Sequence, residues 1–315
     1  MWLAKDMMRV LRLVVLLWAC QLPLAQAAEQ ELSSAHFVFR FLPTESKVAR
    51  ELADRAEGQR RTLCELLPLC PEGPITVQLT GALGEFLEQL PYPAHIDWAS
   101  GVAYGDLKLI ILRTDQNNLF TIRETFDHEL SHVLLLNQLP HRPPRWLIEG
   151  IAIYQAGEAL AQRFESLASA ATGDSLMSLD SMAVSFPDST AGRSLAYAQS
   201  AFFVSFLVGR FGEQRLTALI ATLGQGVPFH VAFQNTYGES LSSVETRWKE
   251  SFQRTAWMHV FTSDLFIWSA LSVLFVVAIL VAWRKRVHRK RVMAAREAAS
   301  NRLDDGPDWE YRQIP

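Results

Sequence analysis

Between residues 119 and 136 the apolar positions Leu119, Ile122, Phe126, Leu130, Val133 and Leu134 recur at steps of three and four, which predicts a helix with one buried face. Earlier in the chain the period is shorter. His36-Phe37-Val38-Phe39-Arg40-Phe41 alternates in part and reads as a strand. Residues 46–67 are helical by pattern and stop before Pro68, 75–79 form a short strand, and 86–90 belong to a helix stopped by Pro91. Residues 107–112 are mostly apolar and read as a buried strand. Residues 146–160, 197–211, 213–223 and 240–252 follow as amphipathic helices. Between 169 and 192 the chain turns to Ser, Gly, Asp and Ala, which predicts a loop or lid. Strands first and helices later point to an α+β fold rather than an alternating parallel sheet.

Both ends depart from this pattern. At the start, Lys5, Arg9 and Arg12 precede an apolar run at 13–19, and the stretch closes on Ala25-Gln26-Ala27. That is the build of a secretory signal peptide over residues 1–27, cleaved before Ala28, with an uncleaved anchor as the alternative. Cys20 follows Leu17-Trp18-Ala19 as in a lipoprotein signal, but the bulky Trp18 fits that reading poorly. Near the other end, residues 265–283 read LFIWSALSVLFVVAILVAW without a charge. As a helix they reach roughly 28 Å, enough to span a hydrocarbon core. Trp268 and Trp283 sit near its ends, and Arg284-Lys285-Arg286 and Arg289-Lys290-Arg291 follow at once. A buried core helix would not be followed by such a run of cations. The expected organisation is therefore an exported domain at 28–262, a transmembrane helix at 265–283, and a basic cytoplasmic tail at 284–315. By the positive-inside tendency this places the protein in a cell inner membrane as a single-pass protein, with its folded domain periplasmic.

Composition agrees with a folded domain: 49% of the residues are hydrophobic and 20% charged. The tail holds nine basic and five acidic residues and the first 27 hold three and one, so of the chain's net −3 the residues between carry −9. So acidic a domain has no electrostatic footprint for nucleic acid. Cys64 and Cys70 form either a disulfide, as export would allow, or two buried thiols; neither has zinc-thiolate spacing.

Chemistry concentrates in Phe126-Asp127-His128-Glu129-Leu130-Ser131-His132-Val133. Within a helix, His128 and His132 share one face and can aim two imidazoles at a single ion. Glu129 is one step round, within reach of a metal-activated water without itself binding metal. After a Pro-containing turn, Glu149 stands among apolar neighbours, with sixteen residues between it and His132. A carboxylate there must be paired, protonated or metal-bound. Pairing with Arg145, one turn earlier, is the alternative to metal ligation.

His128-Glu129-x-x-His132 followed by Trp146-Leu147-x-Glu149-Gly150-x-Ala152-x-Tyr154 resembles the gluzincin metallopeptidases, most of all the peptidase MA-like group. The Trp-Leu-x-Glu-Gly-x-Ala element is also similar to that of aminopeptidase N. The resemblance runs over roughly residues 37–252 and includes Gly101-Val102-Ala103, at the family's substrate-side edge strand. It implies a zincin-like domain with a small N-terminal mixed sheet and a helical C-terminal part. It further implies one Zn2+ held by His128, His132 and Glu149, Glu129 as general base, and Tyr197 as a donor to the transition state. A core tyrosine is the competing reading of Tyr197, and Tyr154 and His141 are weaker candidates for its role. The chain departs from the family in three places. The spacing from His132 to Glu149 is shorter than in thermolysin or aminopeptidase N. Ile153 occupies the place of thermolysin's supporting aspartate. The Gly-Val-Ala segment lacks the glutamate that holds a substrate amino terminus in aminopeptidase N, which argues against aminopeptidase activity.

The expected function is hydrolysis of peptide bonds by a membrane-anchored zinc metallopeptidase outside the cytoplasm, with a peptide or protein as substrate. Two rivals stand beside it: an inactive zincin-like scaffold or binding module of an envelope complex, and a non-peptide hydrolase on the same scaffold. An intact Glu129 disfavours the scaffold, which has no need of a base.

Overall fold

The structure is a computed structural model and describes residues 28–304, apart from 69, 93–95, 116–117, 158–159 and 263. The expected signal at 1–27, His95 and the last part of the tail lie outside the described residues. The chain divides into two compact units, one up to Phe252 and one from Gln253 onward.

Five strands form one mixed sheet in the order β1-β2-β3-β5-β4, comprising β1 (Gln30–Ser33), β2 (Phe37–Phe41), β3 (Ile75–Thr80), β4 (Gly101–Tyr104) and β5 (Leu109–Arg113). β2, β3 and β5 are parallel, while β1 and β4 pair antiparallel at the two edges. The expected α+β architecture with a small mixed sheet is therefore present. In β2 the period of two is plain: Phe37, Phe39 and Phe41 are buried and Arg40 points to solvent. β1 was not predicted, because Gln30-Glu31-Leu32-Ser33 has one apolar residue and sits on an edge where little needs burying.

Helix α1 (Ser46–Cys64) crosses from β2 to the parallel strand β3 and buries Ala49, Leu52, Ala56 and Leu63 on one stripe. It stops short of residue 67, and a disulfide between Cys64 and Cys70 closes the turn that follows. The disulfide alternative is thus the one realised. Helix α2 (Leu83–Glu88) leads back towards the sheet edge, with Phe86 packed against Ile111 and Ala99 on one face of the sheet. Ile110 and Leu112 alternate with Ile111 along β5, so they face the other way, towards α3 (Leu119–Leu136). Helix α3 opens on Asn118, whose side chain accepts a hydrogen bond from the Thr121 N–H at 3.0 Å. Phe126 reaches the sheet, its ring centroid 6.1 Å from those of both Phe37 and Phe39.

Helix α4 (Arg145–Ala156) begins after Pro143-Pro144 and ends at Gly157, which takes φ 66°. That left-handed cap ends the helix before residue 160, where the apolar pattern alone carried it. Five more helices complete the domain region: α5 (Leu160–Thr172), α6 (Thr190–Phe211), α7 (Glu213–Gly224), α8 (Phe229–Tyr237) and α9 (Leu241–Thr262). The expected lid at 169–192 is partly the end of α5 and the start of α6. The irregular chain between them buries Leu179, Met182 and Phe186 and is packed rather than loose.

The second unit is dominated by α10 (Asp264–Asp304), one helix of 41 residues that runs on through most of the expected tail. Among the described residues no helix is long and apolar enough to cross a membrane. The described apolar side chains of α10 cover 268–283, about 24 Å at the helical rise, against roughly 30 Å of hydrocarbon. The side chains of residues 265–267, the start of the expected transmembrane helix, lie outside the described ones.

Helices α4 and α6 approach closely at Gly150. A Cβ on Gly150 would stand 2.5 Å from the Ser200 carbonyl oxygen and 2.6 Å from Val204 Cγ2. Intrinsic propensity favours Ala over Gly in a helix by about 1 kcal/mol. At Gly150 the collision with backbone wins, so Gly150→Ala is expected to destabilise the domain by about 1–3 kcal/mol. A urea titration showing unchanged or higher stability would contradict this packing.

Candidate metal centre

Helix α3 turns three faces to three different surroundings. Ile122, Phe126, Leu130 and Val133 are buried. Asp127 and Ser131, one turn apart, face the neighbouring helices. Asp127 receives two bonds from Arg55 of α1, Nη1 to Oδ1 at 3.1 Å and Nη2 to Oδ2 at 2.9 Å. Ser131 donates to Gln155 of α4, and the Gln155 amide donates to the Leu63 carbonyl at 3.0 Å. These contacts hold α3 and α4 in register and leave His128 and His132 on the face that lines the cleft.

From α4, Glu149 meets the two imidazoles. Their Nε2 atoms lie 3.1 Å apart, and Glu149 Oε2 is 3.5 Å from that of His128 and 3.4 Å from that of His132. A tetrahedral cation with bonds of about 2.0–2.1 Å requires donors separated by about 3.3–3.4 Å. The three donors thus form a nearly equilateral triangle of the right edge. Two imidazole lone pairs and a carboxylate oxygen repel one another at this range unless a proton or cation stands among them. No other group of three metal-binding side chains gathers in this way among the described residues. His132 Nδ1 is buried without a hydrogen-bond partner, so the fold itself does not fix that ring's tautomer.

Arg145 and the histidines share Glu149 between them. Its Oε1 accepts from Arg145 Nε at 3.3 Å while Oε2 faces the imidazoles, so both environments anticipated for this residue occur together. Burial opposes its charge, yet the imidazoles facing it hold the carboxyl well below the usual carboxylate range. Asp127 goes the other way: burial pushes it up to about 6, against the pull of Arg55.

A cleft of about 480 Å³ opens over the triangle, lined by Gly101, Val102 and Ala103 of β4, by Glu129 and by Tyr197. Glu129 is 9% exposed, enough to reach the cleft. β4 comes close to it because residue 101 is glycine: a Cβ there would lie 3.0 Å from Glu129 Cγ and 2.8 Å from Thr125 Cγ2. Tyr197 lies on α6, and burial together with the nearby Glu149 charge raises its pKa, against the pull of the Arg145 guanidinium. The weaker candidates are not at the site. Tyr154 points to α7, donating to Glu213 at 2.6 Å, and His141 is exposed and does not line the cleft.

The Peptidase MA superfamily profile matches residues 62–254, more than half of the sequence. The chain belongs to that superfamily. No curated protein matches it. Among solved structures it is similar to leukotriene A4 hydrolase of Saccharomyces cerevisiae, with 12% identity, a TM-score of 0.43, and coverage of 69% of this chain and 37% of that one. It is also similar to an M1 zinc metallopeptidase of Deinococcus radiodurans, with 17% identity, a TM-score of 0.38, and coverage of 72% and 50%. The chain thus spans at most about half the length of these structures.

Two supports of this peptidase MA-like cleft escaped the sequence reading. Arg113 ends β5 and is 1% exposed. It binds Asp115 through Nε at 3.1 Å and Nη2 at 2.9 Å, and donates from Nη1 to the Asp97 carbonyl at 3.0 Å, shaping the turn into β4. The available signal was a cation closing an otherwise apolar strand, Leu109-Ile110-Ile111-Leu112-Arg113. Gln155 gave no comparable signal, since a polar residue near a helix end is commonly solvated.

Removing Arg55 would leave Asp127 buried and unmatched beside His128. Arg55 is about one-third exposed, so the expected loss for Arg55→Met sits at the low end for broken buried pairs, about 3 kcal/mol by chemical denaturation. A loss below about 1 kcal/mol would mean that this pair does not hold α3 to α1.

Proposed function

We propose that this protein is an exported, membrane-anchored zinc metallopeptidase in which His128, His132 and Glu149 hold the metal. The observation that carries the reading is the triangle of donors 3.1–3.5 Å on edge at the floor of a cleft, with Glu129 beside it. Zinc held there supplies a Lewis acid that acidifies water and polarises a carbonyl. Glu129 accepts the proton of the attacking water and delivers it to the departing amine. Tyr197 remains protonated at neutral pH, because burial and the Glu149 charge raise its pKa. Its phenol is then a donor to the carbonyl oxygen as that atom gathers charge. The free edge of β4 offers backbone groups to an extended peptide, which would add to the sheet as a further strand. Arg145 orients Glu149 through its second oxygen.

Glu129→Gln is expected to keep about one zinc per chain while turnover on an unfolded protein substrate disappears. Tyr197→Phe should keep zinc and lower kcat by about a hundredfold. Metal analysis together with proteolysis decides between this reading and an inactive scaffold. Full activity in the Gln variant would overturn the role of Glu129.

The membrane reading rests on the sequence of 265–283 and on the surface of α10. Val273, Leu274, Phe275, Val276 and Val277 are consecutive and all at least 49% exposed, so they cover every side of the helix. A helix apolar all round requires an apolar surrounding. The cations at 284–291 then put the C-terminus in the cytoplasm and the peptidase domain in the periplasm, where the Cys64–Cys70 disulfide is chemically at home. The full chain is expected to fractionate with inner membranes and to resist carbonate extraction. Release by carbonate would refute the anchor.

A further inference from the structure

The charges lining the cleft are unevenly committed. Its carboxylates are Glu124, Glu129 and Glu149. Glu149 is matched by Arg145 and the imidazoles, and Glu124 and Glu129 both have partners. The cations include Arg142, which is exposed and makes no hydrogen bond or ion pair among the described residues. Trp98 also lines the cleft, and the guanidinium of Arg193 lies 4.1 Å over its ring. Arg193 gives one hydrogen bond, from Nη2 to the Asp188 carbonyl at 3.1 Å, and keeps its remaining donors. It does not itself line the cleft but sits on Trp98, which does, and stands one helical turn before the lining residue Tyr197, which puts it at the cleft's rim.

We propose that the cleft selects substrates bearing a carboxylate near the scissile bond, received by Arg142 and Arg193. The proposal rests on the metallopeptidase reading for the reaction but not for the binding preference. An arginine fork with free donors matches a carboxylate in geometry and charge, and stacking on Trp98 holds one such fork in place. The acidic balance of residues 28–283 does not cancel this. At physiological ionic strength charges beyond roughly 8 Å are screened, so the nearby arginines set the preference. The carboxylate can come from an Asp or Glu side chain or from a free C-terminus.

The test uses full-length, zinc-loaded Glu129→Gln protein in detergent and fluorescent peptides of one length. These carry Glu or Gln on both sides of a central Ala-Ala, each with a free or an amidated C-terminus. Anisotropy at physiological salt is expected to show the Glu peptides, the free acids, or both binding at least about tenfold tighter than their neutral counterparts, the scale of one charge-assisted hydrogen bond. The two arms identify the source of the carboxylate. Arg142→Gln and Arg193→Gln should each reduce that ratio to about threefold or less, while Arg142→Lys should retain most of it. Equal binding of charged and neutral peptides, no binding at all, or a uniform weakening by the Gln variants overturns the proposal. If acidic peptides bind selectively but wild-type protein cleaves none, the catalytic reading fails and the preference stands. Cleavage without preference fails the proposal alone.

Discussion

A carboxylate buried where two helices meet is stable only when its charge is matched on the spot, and Glu149 is such a carboxylate. Trp146, Leu147, Ile148 and Ile151 around it are buried, and the next residue, Gly150, is pressed against the backbone of α6. The two oxygens of Glu149 divide the task, one accepting from Arg145 and the other facing His128 and His132. Because that second oxygen needs both imidazoles, α3 must lie beside α4 in one register. The Arg55–Asp127 and Ser131–Gln155–Leu63 contacts secure that register from the opposite side of α3. The gathering of His128, His132 and Glu149 and the helix packing are thus two consequences of one charge-matching requirement.

How far this was legible in the sequence follows from where each signal lives. His128, Glu129 and His132 sit within one helix, and local periodicity is enough to bring them together. Glu149 was legible because a lone carboxylate in an apolar helix is chemically conspicuous. What the sequence left open was its partner, and the answer, Arg145 and the histidines together, depends on two oxygens facing different ways. The amphipathic helices and the buried strands were readable for the same reason as α3. β1 was missed, as were α5 and α8, and the end of α4 was placed too late because apolar residues continue past Gly157. Arg113 and Gln155 were not readable as cleft supports. Their partners are backbone carbonyls and residues of other elements, which no local pattern encodes.

The segment between α5 and α6 carries the argument furthest. Its composition suggested a mobile lid, yet it is tied at several points. Gln199 of α6, wholly buried, bonds both the N–H and the carbonyl of Met177, at 2.9 and 2.7 Å. The Arg145 N–H donates to the Ala183 carbonyl at 2.7 Å, which links the segment to the first turn of α4. Phe186 then packs against both Arg145 and Tyr197. Its ring lies 4.8 Å from the Arg145 guanidinium carbon and 5.1 Å, edge-on, from the Tyr197 ring. A residue so placed fixes how far Arg145 and Tyr197 can move relative to Glu149. The small and polar residues that resembled a flexible cover therefore form a packed support behind Arg145 and Tyr197, which themselves line the cleft. A cleft supported in this way presents its side chains from fixed positions, and selectivity then follows from which of them project into it.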